Sequence, residues 1–353
     1  MAYDGLLDDV RRAIALERPE RLPLFAHSEE FDVRWHGRYT YEEVCQSGHK
    51  MAEVWIAAVE EFDYDWAWLQ VDDCFELEPL GVGTHGEGNI LRATKNYLPA
   101  TAATLDHLRI PDPLKAGRMP EKLKALRLLR EHFGDRILVE GSCAAPYSSV
   151  GLLFGLEETM VLALTDPELL ARACGFFVEL QTRWIEAQIQ AGAHAIWLGD
   201  CNAFSGMLSL EQYRRFALDP CRRLVARAHQ CGAIVHLHNS EILVPYLLAE
   251  LDTGADIVNC GPAADIGEVL SALAGKRCVS GNLDPIAVLY RGTPDEVARE
   301  AERIVRIGYA RGGYLFNTGE MNPRDTPVEN VRAMIAAVRE TSEATAGQDP
   351  RSL

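Results

Sequence analysis

AGAHAIWLGD, residues 191–200, holds a short apolar run at 195–199 that ends on a glycine and an aspartate and gives way to a longer helical pattern. The same unit recurs along the chain. Apolar runs at 22–26, 66–71, 137–141, 195–199, 233–237, 257–260, 278–281 and 314–317 each end in polar or small residues and precede a helix-like stretch. Strands that alternate with helices form a parallel sheet with helices packed outside it. Eight such units predict an α/β fold of the (β/α)8 TIM-barrel type.

Helix starts punctuate the pattern. Thr293-Pro-Asp-Glu296 and Thr326-Pro-Val-Glu329 each offer a capping hydroxyl, a proline for the first helical position and a glutamate three residues on. Ser209-Leu-Glu-Gln212 does the same without proline. Segments 210–231 and 296–307 carry apolar residues at helical spacing. Residues 1–20 read as an N-terminal helix, 21–340 as the barrel and 341–353 as a loose polar tail. A long loop after the second strand, 72–122, is rich in Gly and Pro, and a hairpin of 75–80 against 89–93 is expected in it.

The net charge of −17 opposes nucleic acid and anionic lipid, which leaves small molecules and proteins as partners. No apolar run approaches the roughly 18 residues of a membrane span, and the reading is a cytoplasmic protein. Self-association into a homodimer stays open. Nine cysteines without a Cys-x-x-Cys pair predict reduced thiols and neither a disulfide framework nor a zinc knuckle.

In this fold the chemistry gathers at the C-terminal ends of the strands. His27, Asp72, Asp73, Ser142, Asp200, His236, His238, Asn259, Asn282, Asp284, Asn317 and Glu320 follow or end the runs. His236-Leu-His238 is the sharpest of these, because residues two apart on a strand share a side and two imidazoles can converge on one ion. Glu320, after the eighth run, supplies a carboxylate. Three protein ligands with an open fourth position make a catalytic zinc arrangement. His-x-His also occurs in metal-dependent hydrolase barrels, but those place the pair on the first strand and add later histidines, and no His follows His238. A non-catalytic ligand-binding relative is the third alternative.

The chain resembles the uroporphyrinogen-decarboxylase superfamily through GNLDP at 281–285, FNTGEMNPRDTPVEN at 316–330, the stretch 191–200 and residues 141–146. The decarboxylase branch uses no metal and holds a polycarboxylate with an Arg-Gln-Ala-Gly-Arg loop and an aspartate after strand two. Asp72 fits that aspartate and Gly37-Arg38-Tyr39 resembles part of the loop, whereas Leu152, Cys201 and Glu320 stand where that branch has tyrosine, serine and histidine. The methyltransferase branch is closer. Its zinc ligands are a His-x-Cys after strand five and a Cys after strand eight, and this chain has His236-x-His238 and Glu320 there. The resemblance implies a metal-dependent methyltransferase that moves a methyl group from a small methoxy compound to a corrinoid, zinc being the expected ion. No Asp-x-His-x-x-Gly corrinoid loop occurs, so the corrinoid (cobalamin) rides on a separate protein. Asp200 and Asp72 take catalytic or orienting roles, and His27, Ser142, Tyr147, Cys201, Asn282 and Asn317 line the substrate.

Overall fold

The computed structural model describes residues 2–346. Nine strands occur among them: β1 Trp66–Trp68, β2 Gly83–His85, β3 Ala93–Asn96, β4 Leu138–Ala144, β5 Ala195–Gly199, β6 Ile234–His238, β7 Ile257–Asn259, β8 Cys278–Leu283 and β9 Tyr314–Thr318. Seven of them build one parallel half-barrel in the order β1-β4-β5-β6-β7-β8-β9, and β2 pairs with β3 in a separate antiparallel hairpin. Helices return the chain between consecutive sheet strands, as parallel pairing requires. In helix Pro294–Gly308, for example, Val297, Ala301, Ile304 and Val305 fall on one buried stripe.

The first apolar run departs from expectation. Instead of a strand it makes a single parallel bridge, Leu24 to Phe316. Two causes are visible. Pro23 has no N–H to give, and the Leu24 N–H goes to the Asp65 side chain at 2.9 Å rather than to a neighbouring strand's carbonyl. The segment is nevertheless bonded on both sides: Phe316 N–H donates to Pro23 O and Phe25 N–H to Phe316 O, while Asp65 N–H donates to Leu24 O.

Three further expectations change. Residues 75–80 form no hairpin strand; Leu77 and Glu78 donate back to Cys74 O, Glu78–Leu80 is a 3-10 turn opened by Pro79, and Phe75 and Leu77 are core residues. The hairpin lies further on, in β2 and β3. Ser209 and Thr293 form the expected capping boxes, but the Thr326 hydroxyl donates to Pro323 O and the last helix, Val328–Ala346, begins after it. That helix takes in the first part of the supposed tail. Thr341, Ser342 and Thr345 are buried, which costs little because the Thr345 and Ser342 hydroxyls bond carbonyls of their own helix. Residues 347–353 lie outside the described residues.

Among the described residues no single helix is long and apolar enough to cross a membrane.

Asp65 ties these parts together. Its fully buried carboxylate accepts from Leu24 N–H and pairs with Arg339 at 2.8 Å and Arg21 at 3.1 Å, so one group holds the first segment, β1 and the last helix. Removing one partner of a buried ion pair typically costs about 3–5 kcal/mol. Asp65→Ala is expected to lose stability on that scale in urea unfolding followed by circular dichroism; a loss below about 1 kcal/mol would show the clamp to be dispensable.

Candidate functional site

Strand register decides which side chains face the interior of the half-barrel, because in-register neighbours share a face. Trp197 pairs with His236, Gly199 with His238, Asn259 with Ser280 and Asn282 with Asn317. These residues line one surface, in two levels. Gly199 is needed there: a Cβ would fall 2.1 Å from the Trp197 ring.

The lower level is closed, and its polar side chains face one another. His236 Nε2 lies 2.9 Å from Ser280 Oγ, His236 Nδ1 lies 3.5 Å from Glu140 Oε1, and Trp66 Nε1 donates to Glu140 Oε2 at 2.7 Å. A serine, a histidine and a carboxylate in this order have the layout of a nucleophilic triad. All three are fully buried, so no substrate reaches the serine, and the set is a polar strut of the core.

The upper level is built from four aromatic rings in mutual contact. His27 to Trp68 is 4.5 Å between centroids, Trp68 to Trp197 5.4 Å, Trp197 to His238 5.2 Å and His238 to His27 4.9 Å. Each ring keeps one buried nitrogen without a hydrogen-bond partner: His27 Nε2, Trp68 Nε1, Trp197 Nε1 and His238 Nδ1. Asn259 and Asn317 likewise leave both amide atoms unpartnered. Buried polar groups are rarely left so, and a cluster of them marks a place where a ligand or water belongs.

Glu320 stands above these rings. Its Oε2 is 3.3 Å from His238 Nε2, and the Ser240 hydroxyl donates to the same oxygen. Burial alone would raise the Glu320 pKa; the His238 ring and the Ser240 hydroxyl outweigh it and hold the carboxyl well below its ordinary range. Ser240 reaches it from a left-handed backbone conformation, φ 58°. His27 behaves oppositely. Desolvation first, then His238 and His236, push its pKa well below the ordinary value, and the ring is neutral.

The other expected residues scatter. Asp72 is not open to substrate, since Arg118 takes both its oxygens at 2.9 Å and reaches on to Glu78. The loop carboxylate with an electrostatic line to Glu320 and Cys201 is Asp73, raised by burial and held by Gln70 Nε2 at 2.6 Å. Ser142 is saturated: it accepts from Lys122 Nζ, lies 3.1 Å from Leu69 O and meets Gln70 Oε1. It serves as a link from Lys122 through Gln70 to Asp73. Asp200 turns away from the rings, because it follows the inward Gly199, and accepts from Ser148 Oγ at 2.8 Å and Cys221 Sγ between helices. Tyr147 is buried on that same outer side. Asn282 spends its amide on Gly261 O and Ala264 O. Cys201 is exposed by area, yet its thiol is pushed well above the ordinary range by surrounding protein, then by Glu320 and Asp73.

A model of uroporphyrinogen decarboxylase (URO-D) matches residues 7–341. The chain belongs to the uroporphyrinogen-decarboxylase family. A uroporphyrinogen decarboxylase of Koribacter versatilis is 27% identical over 319 residues, 88% of each chain, and one of Methylococcus capsulatus is 28% identical over 357 residues, 94% of this chain and 97% of the relative. Among solved structures, a methyltransferase from Methanosarcina mazei superposes with a TM-score of 0.86 at 21% identity, covering 95% of this chain and 98% of that one. A B12-independent methionine synthase from Shewanella sp. gives 0.57 at 10% identity, covering 86% and 89%. At these identities the structural likeness speaks for the fold.

The metal ligands inferred from the resemblance do not assemble as a triad in this family member. Among the described residues no three His, Cys, Asp or Glu side chains are grouped to hold an ion. His238 and Glu320 meet, and His236 is committed one level below.

Asp200 offers a check on the outer side. Burial raises its pKa from 3.8 to about 6, against the bonds from Ser148 and Cys221. A raised carboxyl favours folding fully below pH 3.8 and loses that contribution as pH climbs through 6. Asp200→Asn is therefore expected to gain on the native protein by about 3 kcal/mol between pH 4 and 7 in paired urea titrations. A difference that stays flat with pH would show Asp200 to be ionised at no cost.

Proposed function

We propose that this chain is a metal-dependent methyltransferase that takes a methyl group from a small O-methyl substrate and passes it to a corrinoid carried on a partner protein. The observation that carries the reading is the His238–Glu320 pair, 3.3 Å apart, at two positions where the resembling methyltransferase branch has thiolates. Two softer ligands replaced by two harder ones, both still capable of ligation, point to a retained site with altered chemistry. A divalent ion, zinc first among the candidates, would supply Lewis acidity at the substrate oxygen. The same reading takes residues 22–26 as the eighth stave of a closed barrel.

The chain's own residues set the conditions for transfer. In the reaction the methyl carbon leaves the substrate oxygen and bonds to cobalt(I) of the corrinoid, whose electron pair makes the new bond; the oxygen keeps the pair of the broken bond and takes a proton. Glu320 and His238 orient the oxygen. Trp68, Trp197 and His27 wall the site with buried rings. Asp73, fixed through Gln70, is a second carboxylate within electrostatic reach of Glu320.

A decarboxylase acting on a porphyrinogen is the second reading, favoured by the names of the sequence relatives. Against it, the aspartate expected to hold that substrate is closed off by Arg118, and Leu152, Cys201 and Glu320 replace three of its pocket groups.

The test is methyl transfer to free cobalt(I) cobalamin from a panel of methoxy and methylthio compounds, read by the visible absorption of methylcobalamin. Methoxy donors are expected to react, and His238→Cys with Glu320→Cys to shift preference toward methylthio donors. Activity of the native protein on methylthio donors alone would reverse the interpretation of the ligand exchange. In a parallel assay under reducing conditions uroporphyrinogen should yield no coproporphyrinogen; turnover of roughly 1–1,000 per second would make the chain a decarboxylase.

A further inference from the structure

Lys122, Ser142 and Gln70 form a buried chain of hydrogen bonds that runs in one direction. Lys122 Nζ donates to Ser142 Oγ at 2.6 Å and to Ser142 O at 3.0 Å. The serine oxygen accepts there, so its single hydrogen goes on to Gln70 Oε1, with Leu69 O further off at 3.1 Å. With Oε1 engaged, the Gln70 amide turns Nε2 the other way, and that N–H donates to Asp73 Oδ1 at 2.6 Å.

The chain ends beside the aromatic rings. Ser142 is in register with Trp197, and Gln70 lies two residues beyond Trp68, so both share the face on which those rings lie. Asp73 keeps part of its surface open. Its Oδ1 is taken by Gln70, while Oδ2 makes no hydrogen bond among the described residues. A proton on this carboxyl therefore sits on Oδ2, because Oδ1 is already the acceptor. The neighbouring carboxylates differ. Asp72 gives both oxygens to Arg118, and Glu320 accepts from Ser240 beside His238. Burial, helped by the charges of Asp72 and Glu320, raises the Asp73 pKa against the bond from Gln70 and the pull of Lys122.

We propose that Asp73 is the acid that protonates the oxygen losing its methyl group, and that Gln70 is the residue that positions it. The proposal rests on the O-methyl reading above. As the carbon–oxygen bond breaks, the oxygen keeps the bonding pair and takes the proton of Asp73 Oδ2; the methyl carbon bonds to cobalt through the cobalt(I) electron pair. Asp73, left as the carboxylate, regains a proton from water. Gln70 gives the carboxyl one orientation, since the N–H on Oδ1 leaves only Oδ2 to carry the proton.

The test compares methyl transfer to free cobalt(I) cobalamin from methoxy donors of rising leaving-oxygen basicity: 4-nitroanisole, anisole and 2-methoxyethanol. The proteins are the native chain, Asp73→Asn, Asp73→Glu and Gln70→Leu, each checked for folding by circular dichroism. An acid matters most where the oxygen would otherwise leave as a strong base, and such a group contributes about 100- to 10,000-fold. Asp73→Asn is expected to lose that factor on 2-methoxyethanol and less than about 10-fold on 4-nitroanisole. Asp73→Glu, which still carries an acid, should restore much of the rate on the basic leaving group. Gln70→Leu leaves the acid present but unheld; it should show the same gradient with a smaller loss, and it serves where Asp73→Asn fails to fold. No loss, or an equal loss on all three donors, in a folded variant shows a role in structure alone and overturns the assignment while the O-methyl reading stands. Transfer by the native protein from none of the methoxy donors overturns both.

Discussion

The seam between residues 23–27 and β9 is the constraint on which the remaining architecture turns. Phe25 and Phe316 exchange backbone bonds with Phe316 and Pro23, His27 N–H donates to the Thr318 hydroxyl, and Asn322 N–H donates to His27 O at 2.6 Å. These contacts join residues some 290 positions apart, with His27 and Thr318 separated by 291. Entropy opposes closing so long a loop, although the cost grows only slowly with length. The seam fixes His27 at the level of Glu320 and sets the tautomer of its ring. Asp65 fastens the same segment from the other side, so the segment is gripped between the residue that precedes β1 and the end of the fold.

The interior is stratified by hydrogen bonding. Below, His236 Nε2 meets Ser280 and Trp66 donates to Glu140, while His236 Nδ1 and Glu140 Oε1 face each other at 3.5 Å without a hydrogen bond. Above, two indole nitrogens, two imidazole nitrogens and two carboxamides are buried without partners. The lower set is engaged mainly within itself, and the upper one carries more of the buried groups that lack a partner.

Much of this was legible in the sequence. Seven of the eight apolar runs are sheet strands, and His238 and Glu320 do meet at the ends of two of them. The side chains were harder to place. Alternation along a strand tells the face but not the depth: His236 and His238 share a face, yet two residues rise about 6.6 Å, which sets them in different levels. Asp200 points outward because Gly199 points inward, but strands buried on both faces read as continuous apolar runs and hide that parity. Asp72 and Asp73 are adjacent and chemically alike. Which of them is paired with a cation depends on Arg118, 46 positions away from Asp72, and no local pattern reports such a partner.

That partnership also bears on how the family can diversify. Arg118 grips Asp72 with a fork of two bonds and holds Cys45 O and Glu78 as well, so the stretch from Asp72 to Arg118, hairpin included, is cinched at its neck by side chains. A segment closed in this way behaves as a cassette. Doubling its length would add only about 0.6 kcal/mol of closure entropy, while the strand before it and the helix after it keep their places. Changes within this segment can therefore leave the sheet beneath it undisturbed.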